Sequence, residues 1–413
     1  MGGYLDAISG SIPFPLRDLS GLRAWAYLCF VATFFTTSFG TSPPLILAAL
    51  GTILCIFTMN KTKLKTLIRE KWFVPCIIII ALNWLGILYT SDTEGLAIKF
   101  ASKSYYWLFA FSLIMTIEDE SEARFFIYIF LLGIFINAIV GFLQFCGIIP
   151  TKQSWFSGLE RGYNSLTLYL ILGMLISSFF FKTTTRYQLR YLYCITGATY
   201  FLHLVILEGR TGYFVFLFSL PVILRNFINR KNYKIALLIA LSIVIVFFLS
   251  PVVQKRLLLT VNELRYHTNG PADKVWGREY TAYQDRFYMW YGALELMAKN
   301  PLLGVGTGGY GSALKALRGG TDPFISHPHN NFLYALVSFG LLGFVFYVWF
   351  FIALLKFSWA RRKSSVHVFI IYSLSVLILG GFFNTTLLDS GSLLLLVLTV
   401  GLCKDYNTGN LSP

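Results

Sequence analysis

The sequence predicts an all-α integral membrane protein of about 12 transmembrane helices with one large helical outer loop. Three observations predict it: 56 % of the 413 residues are hydrophobic and only 13 % charged, the mean hydropathy is +0.65, and the single long polar stretch falls near residues 250–330. A soluble chain of this composition would leave too much apolar surface in water. Apolar runs suited to crossing ~30 Å of hydrocarbon at ~1.5 Å per residue recur near 22–40, 42–59, 72–90, 96–117, 125–149, 165–181, 191–207, 213–229, 235–250, 331–355, 367–383 and 391–403. The chain thus divides into helices 1–9 within 1–250, a loop domain at 251–330, and helices 10–12 within 331–413.

Lys and Arg in the short loops set the orientation. With the N-terminus in the cytoplasm, the cytoplasmic loops carry Lys61, Lys63, Lys65, Arg69 and Lys71, then Lys182, Arg186 and Arg190, then Arg225, Arg230, Lys231 and Lys234, then Lys356, Arg361, Arg362 and Lys363. The opposite loops at 91–95 and 384–390 carry none. Glu118-Asp119-Glu120 makes one cytoplasmic turn acidic, but carboxylates weigh little in this rule. Both termini are therefore expected inside and the 250–330 loop outside.

The net charge of +15 is mostly this topology, with anionic membrane lipids as the partners it implies. No basic face with interleaved aromatics lies outside the membrane, so nucleic acid is excluded as a partner. Cys29, Cys55, Cys76, Cys146, Cys194 and Cys403 lie within or at the ends of apolar runs. They read as small buried hydrophobes rather than a disulfide framework. The first apolar run starts late and continues without a small-residue cleavage site, so no signal peptide is expected.

Within the loop, Val252–Leu264 has helical spacing suited to the membrane surface. Tyr266–Tyr280 is polar, and Ala282–Ala298 predicts a second helix stopped by Asn300-Pro301. Gly304-Val-Gly306-Thr-Gly308-Gly309 matches G-x-G-x-x-G in form. A dinucleotide site needs a strand before and a helix after it, and a helix precedes it here. The glycines are expected in a tight turn beside a membrane or glycan surface.

Charges near spans ordinarily face a cavity or a partner. Lys99 and Lys103 lie four apart at the outer end of the fourth run, and Arg161 follows the fifth; snorkelling to headgroups accounts for all three equally well. Arg210, within Glu208-Gly209-Arg210-Thr211-Gly212, sits in an outer turn where positive-inside sorting disfavours it. Arg286 adds a further cation on the same side. Such cations suit a strongly anionic group such as a lipid pyrophosphate. His329, with an unperturbed pKa near 6.5, is the acid/base candidate among them. Two other readings stay open: His327-Pro328-His329 as half a metal site, with Asp322 a poor complement, and His329 as a helix-entry residue. No G-x-S-x-G elbow accompanies the histidines.

His329-Asn330, nine residues, then Gly340-Leu-Leu-Gly343 resembles the motif of the bacterial O-antigen ligases, relatives of the lipid-linked glycan polymerases and protein O-oligosaccharyltransferases. The stretch from Arg286 into Asn300-Pro301-Leu-Leu-Gly304-Val-Gly306 is similar as well. The resemblance implies a multi-pass glycosyltransferase of the C type in the bacterial inner membrane, with its active site facing the periplasm. It implies transfer of a glycan from undecaprenyl pyrophosphate to a sugar hydroxyl of lipid A core, with inversion and with neither metal nor cofactor. It makes His329 the base and gives Arg210 and Arg286 the pyrophosphate; Lys99, Lys103, Arg161, Asn330 and Asp389 follow by position, Asp389 as an orienting group. Trp155, Tyr163, Tyr288 and Trp290 are candidates for stacking on sugars, and an aromatic belt at the membrane interface accounts for most of them equally well. A polymerase using a lipid-linked glycan as acceptor is the alternative. A protein-glycosylating relative would carry a larger outer domain, and a transporter would place its charges at the midplane.

Overall fold

The computed structural model describes residues 21–59, 61–151, 156–159, 162–227, 233–269, 282–319 and 324–406. It is 77 % helical and contains no strand among those residues. The helices are α1 (Gly21–Thr36), α2 (Ser42–Ile56), α3 (Lys61–Arg69), α4 (Phe73–Leu85), α5 (Leu96–Ser102), α6 (Tyr106–Thr116), α7 (Glu120–Phe145), α8 (Tyr163–Thr183), α9 (Tyr187–Ile206), α10 (Arg210–Phe227), α11 (Tyr233–Leu249), α12 (Pro251–Asn269), α13 (Ala282–Lys299), α14 (Tyr310–Leu317), α15 (Asn331–Ala360), α16 (Ser365–Gly381) and α17 (Ser390–Gly401).

Polar residues at the helix starts do what their position requires. The Asp119, Asn330, Ser364 and Asp389 side chains accept from backbone N–H groups in the first turns of α7, α15, α16 and α17. Each apolar run carries a helix, but the fourth is interrupted by a 3-10 turn at Lys103–Tyr105. Four helices, α7, α8, α9 and α15, are long and apolar enough to cross a membrane alone. A fifth span joins them if α11 and α12, bent by 70° at Ser250, count as one. The other apolar helices are shorter: the 12 residues of α17 rise only about 18 Å, less than the hydrocarbon thickness, so length alone does not carry them across.

The bundle is organised around α8, which has 83 % of its apolar window buried and packs against α9, α10 and α16. A smaller cluster of Met289, Ala293, Leu296, Val305, Tyr310, Leu314 and Val337 ties α13 and α14 to α15, with the Tyr310 hydroxyl donating to the Met289 carbonyl at 2.8 Å. All six cysteines are free. Only Cys55, Cys76 and Cys403 are buried; Cys146 and Cys194 are exposed, which corrects the reading of all six as buried hydrophobes.

The long helix α15 breaks at Gly340, where φ is 63° and ψ −168°, a conformation essentially confined to glycine. The break frees the Val337 and Ser338 carbonyls, which accept from Val305 N at 2.8 Å and Gly306 N at 2.9 Å, while Leu341 N donates to the Pro301 carbonyl at 2.8 Å. A Cβ at Gly340 would stand 2.2 Å from the Leu302 carbonyl, and one at Gly304 (φ 70°) would stand 2.3 Å from the Val337 oxygen. The glycine of the motif therefore docks the 301–306 segment onto the helix. The turn expected against a membrane or glycan surface instead packs on protein backbone, since Gly306 faces Gly86 and Thr90, and Gly308 faces Leu96 and Ala97.

Candidate active site

Three segments meet at the end of the bundle that carries α13: residues 327–331 entering α15, the turn between α16 and α17, and α13 itself. Asn330 anchors the first. Its Oδ1 accepts from Phe332 N at 2.9 Å and Leu333 N at 3.0 Å, while its Nδ2 donates to the Phe382 carbonyl at 3.0 Å. Asn331 anchors it again, donating to Thr386 Oγ1 and accepting from Leu387 N at 3.2 Å. Both side chains are buried, so the entry to α15 is fixed against the α16–α17 turn.

His329 precedes this double anchor with φ at 48°, alone among described non-glycine residues in having a positive φ. Such strain, of order 1–3 kcal/mol, persists only where surrounding structure enforces it. The His329 ring hydrogen-bonds the Asn384 side chain, a contact that favours the protonated ring, as an N–H donating to the amide oxygen does. The neutral ring then presents the lone pair of its other nitrogen. Burial, and next the Arg286 charge, hold His329 below its ordinary pKa against the opposing Asn384 bond. The ring is therefore mostly neutral near pH 7 and able to accept a proton.

His327 supports it. The two ring centroids lie 4.3 Å apart, and His327 Nδ1 receives the His329 N–H at 3.4 Å and hydrogen-bonds Thr385 Oγ1 at 3.1 Å. Burial, reinforced by the His329 and Lys103 charges, pushes His327 down to about 3. With Nδ1 engaged this way, metal ligation through it would cost both bonds, and among the described residues no group of three His, Cys, Asp or Glu side chains is placed to hold an ion.

The two arginines arrive by parallel constructions. On α13, Trp290 lies one turn after Arg286, donates to the Pro328 carbonyl at 3.0 Å and packs on Phe383 at 6.2 Å between ring centroids. On α10, Phe214 lies one turn after Arg210 and packs on the same Phe383 at 4.4 Å. Residues four apart share a helix face. Arg210 and Arg286 thus each stand one turn before an aromatic that packs on Phe383, whose neighbour Asn384 holds His329.

Lys103 reaches the site from the 3-10 turn, its Nζ donating to the Leu388 carbonyl, above a narrow cavity of about 50 Å³ lined in part by Phe100, Lys103, Tyr334 and Leu388. Lys99 is exposed one turn earlier. Asp389 lies within electrostatic reach of Lys103, but its carboxylate caps α17, accepting from Ser392 N at 2.9 Å and Ser392 Oγ at 2.6 Å; no contact with either histidine is seen. Tyr288 faces the Arg318 guanidinium at 5.5 Å. Arg161, Asp322 and Trp155 lie outside the described residues. Asn384, Thr385 and Thr386 escaped the sequence reading, although a polar triplet between two apolar runs was a usable signal.

These are the surroundings of a neutral imidazole within electrostatic reach of the Arg286 guanidinium. Residues 195–348 match the O-antigen ligase family. None of the curated proteins matches the chain. The O-antigen ligase match spans Arg210, Arg286, His329, Asn330, Gly340 and Gly343, and leaves out Lys99, Lys103, Arg161, Asn384 and Asp389. It supports a function of the O-antigen ligase or polymerase type, among glycosyltransferase-like enzymes acting on lipid-linked glycans. With the apolar helices, it marks a membrane protein.

Proposed function

We propose that the chain is an O-antigen ligase of the bacterial inner membrane that moves a glycan from undecaprenyl pyrophosphate to a sugar hydroxyl of lipid A core. In this reading the twelve apolar runs all cross the membrane, the shorter ones tilting little and relying on local thinning. The 251–330 domain and the histidines face the periplasm. The observation that carries the proposal is the strained His329, neutral, held by Asn384 and set beside Arg286.

The acceptor hydroxyl gives its proton to the free ring nitrogen of His329 as its oxygen bonds to the anomeric carbon of the donor. The bond from that carbon to the pyrophosphate oxygen breaks on the opposite side, which inverts the centre. Undecaprenyl pyrophosphate leaves with the electron pair, and Arg210 and Arg286 stabilise the charge it gains. The leaving group needs no proton, so one base suffices.

A polymerase using the same donor would need the same parts, and the products of a deletion strain separate the two. Loss of a ligase is expected to leave lipopolysaccharide as bare core on a gel while long lipid-linked polymer accumulates, with full-length ladders restored by the wild-type gene. Core bearing one repeat unit would contradict the ligase reading and assign the chain to polymerisation.

A further inference from the structure

At the end of the bundle opposite the histidines, a groove of about 740 Å³ opens between α7 and α9. Its walls are apolar, with Phe125, Ile129 and Leu132 on one side and Leu189 and Leu192 on the other. Leu132 and Leu192 are 46 % and 50 % exposed, so the groove is open sideways, toward the bilayer. Its lining on α7 runs from Arg124 to Phe135, a rise of about 17 Å, or roughly half of the ~30 Å hydrocarbon thickness. Its depth is that of one leaflet.

The mouth is cationic. Arg124, Arg186 and Lys363 line it together with Thr183, Thr184 and Thr185. Glu120 offsets one of these charges, accepting from Arg124 at 2.9 Å and from Ser364 Oγ at 3.0 Å. The buried Arg124 Nε makes no hydrogen bond. An apolar trough of leaflet depth beneath a cationic, hydroxyl-bearing rim is complementary to a lipid with an anionic phosphodiester, and basic pockets between membrane helices select such headgroups.

We infer that this groove holds an anionic glycerophospholipid of the leaflet at that end, its phosphate among Arg124, Arg186 and Lys363 and an acyl chain along α7. The site is remote from His329 and does not rest on the ligase reading. It is tested by native mass spectrometry of the delipidated full chain titrated with phosphatidylglycerol and with phosphatidylethanolamine of matched chains. Phosphatidylglycerol is expected to bind about tenfold more tightly or better. The Arg186→Gln/Lys363→Gln variant, both changes lying at the rim, is expected to lose that preference while keeping the wild-type melting temperature. Lys363→Gln alone, at an exposed position, is expected to lose part of it and serves if the double variant does not fold. Equal affinity for the two lipids, an unchanged preference in the folded variants, or stronger binding of a polyprenyl phosphate than of phosphatidylglycerol would overturn the assignment.

Discussion

Replacing His329 by Asn is expected to slow glycan transfer by about 10²- to 10⁴-fold while leaving the melting temperature within a few degrees of wild type. Asn is the substitution of choice because the backbone here lies at φ 48°, and Asn enters the left-handed region more readily than other non-glycine residues. It keeps a polar side chain and removes the imidazole base. His329→Ala loses the same base with more backbone strain. His327→Ala is expected to be milder, since His327 only receives the His329 N–H and bonds Thr385. The rates are read with purified protein and lipid-linked donor. Wild-type activity in a folded His329→Asn protein would reduce His329 to a helix-entry residue.

The second large effect is expected at the arginines. Arg210→Lys and Arg286→Lys should each cost about 10²-fold in rate, the usual consequence of removing one donor aimed at developing charge. An ammonium keeps the charge but cannot reproduce the planar paired donors that a guanidinium offers to phosphate oxygens. Changes at groups acting together are non-additive, so the double variant should lose less than the product of the two. Full activity in both single variants would show that the arginines act by general attraction or as anchors, without direct contact with pyrophosphate.

Much of the fold was legible because its determinants are local. Each apolar run became a helix, whereas the caps made by Asp119, Asn330, Ser364 and Asp389 emerged only with the structure. Membrane crossing is less legible, because helices as short as α17 depend on their neighbours rather than on their own length. At the site, His329, Arg210 and Arg286 stood out because each carries chemistry in an unexpected place. Asn384 did not, since its role arises from a contact between segments 55 residues apart in sequence, which no periodicity reports. Gly340 was visible as a motif position, but its reason became clear only when the helix break met Leu302 and the Val305 amide. Asp389 was read as a possible partner of the site because it is an outer carboxylate, whereas locally it completes the first turn of α17.

The pH dependence of kcat/KM for transfer from undecaprenyl-pyrophosphate-linked glycan to lipid A core is the most direct test of His329 as the base. The essential form is the neutral ring, so activity falls as pH drops through the His329 pKa of the free enzyme. Burial and Arg286 lower that pKa and Asn384 raises it. The expected profile therefore has its acidic limb below pH 6.5, moved to higher pH in Arg286→Gln and to lower pH in Asn384→Ala. An acidic limb that stays in place in both variants, or that persists in His329→Asn, would contradict the assignment of His329 as the base.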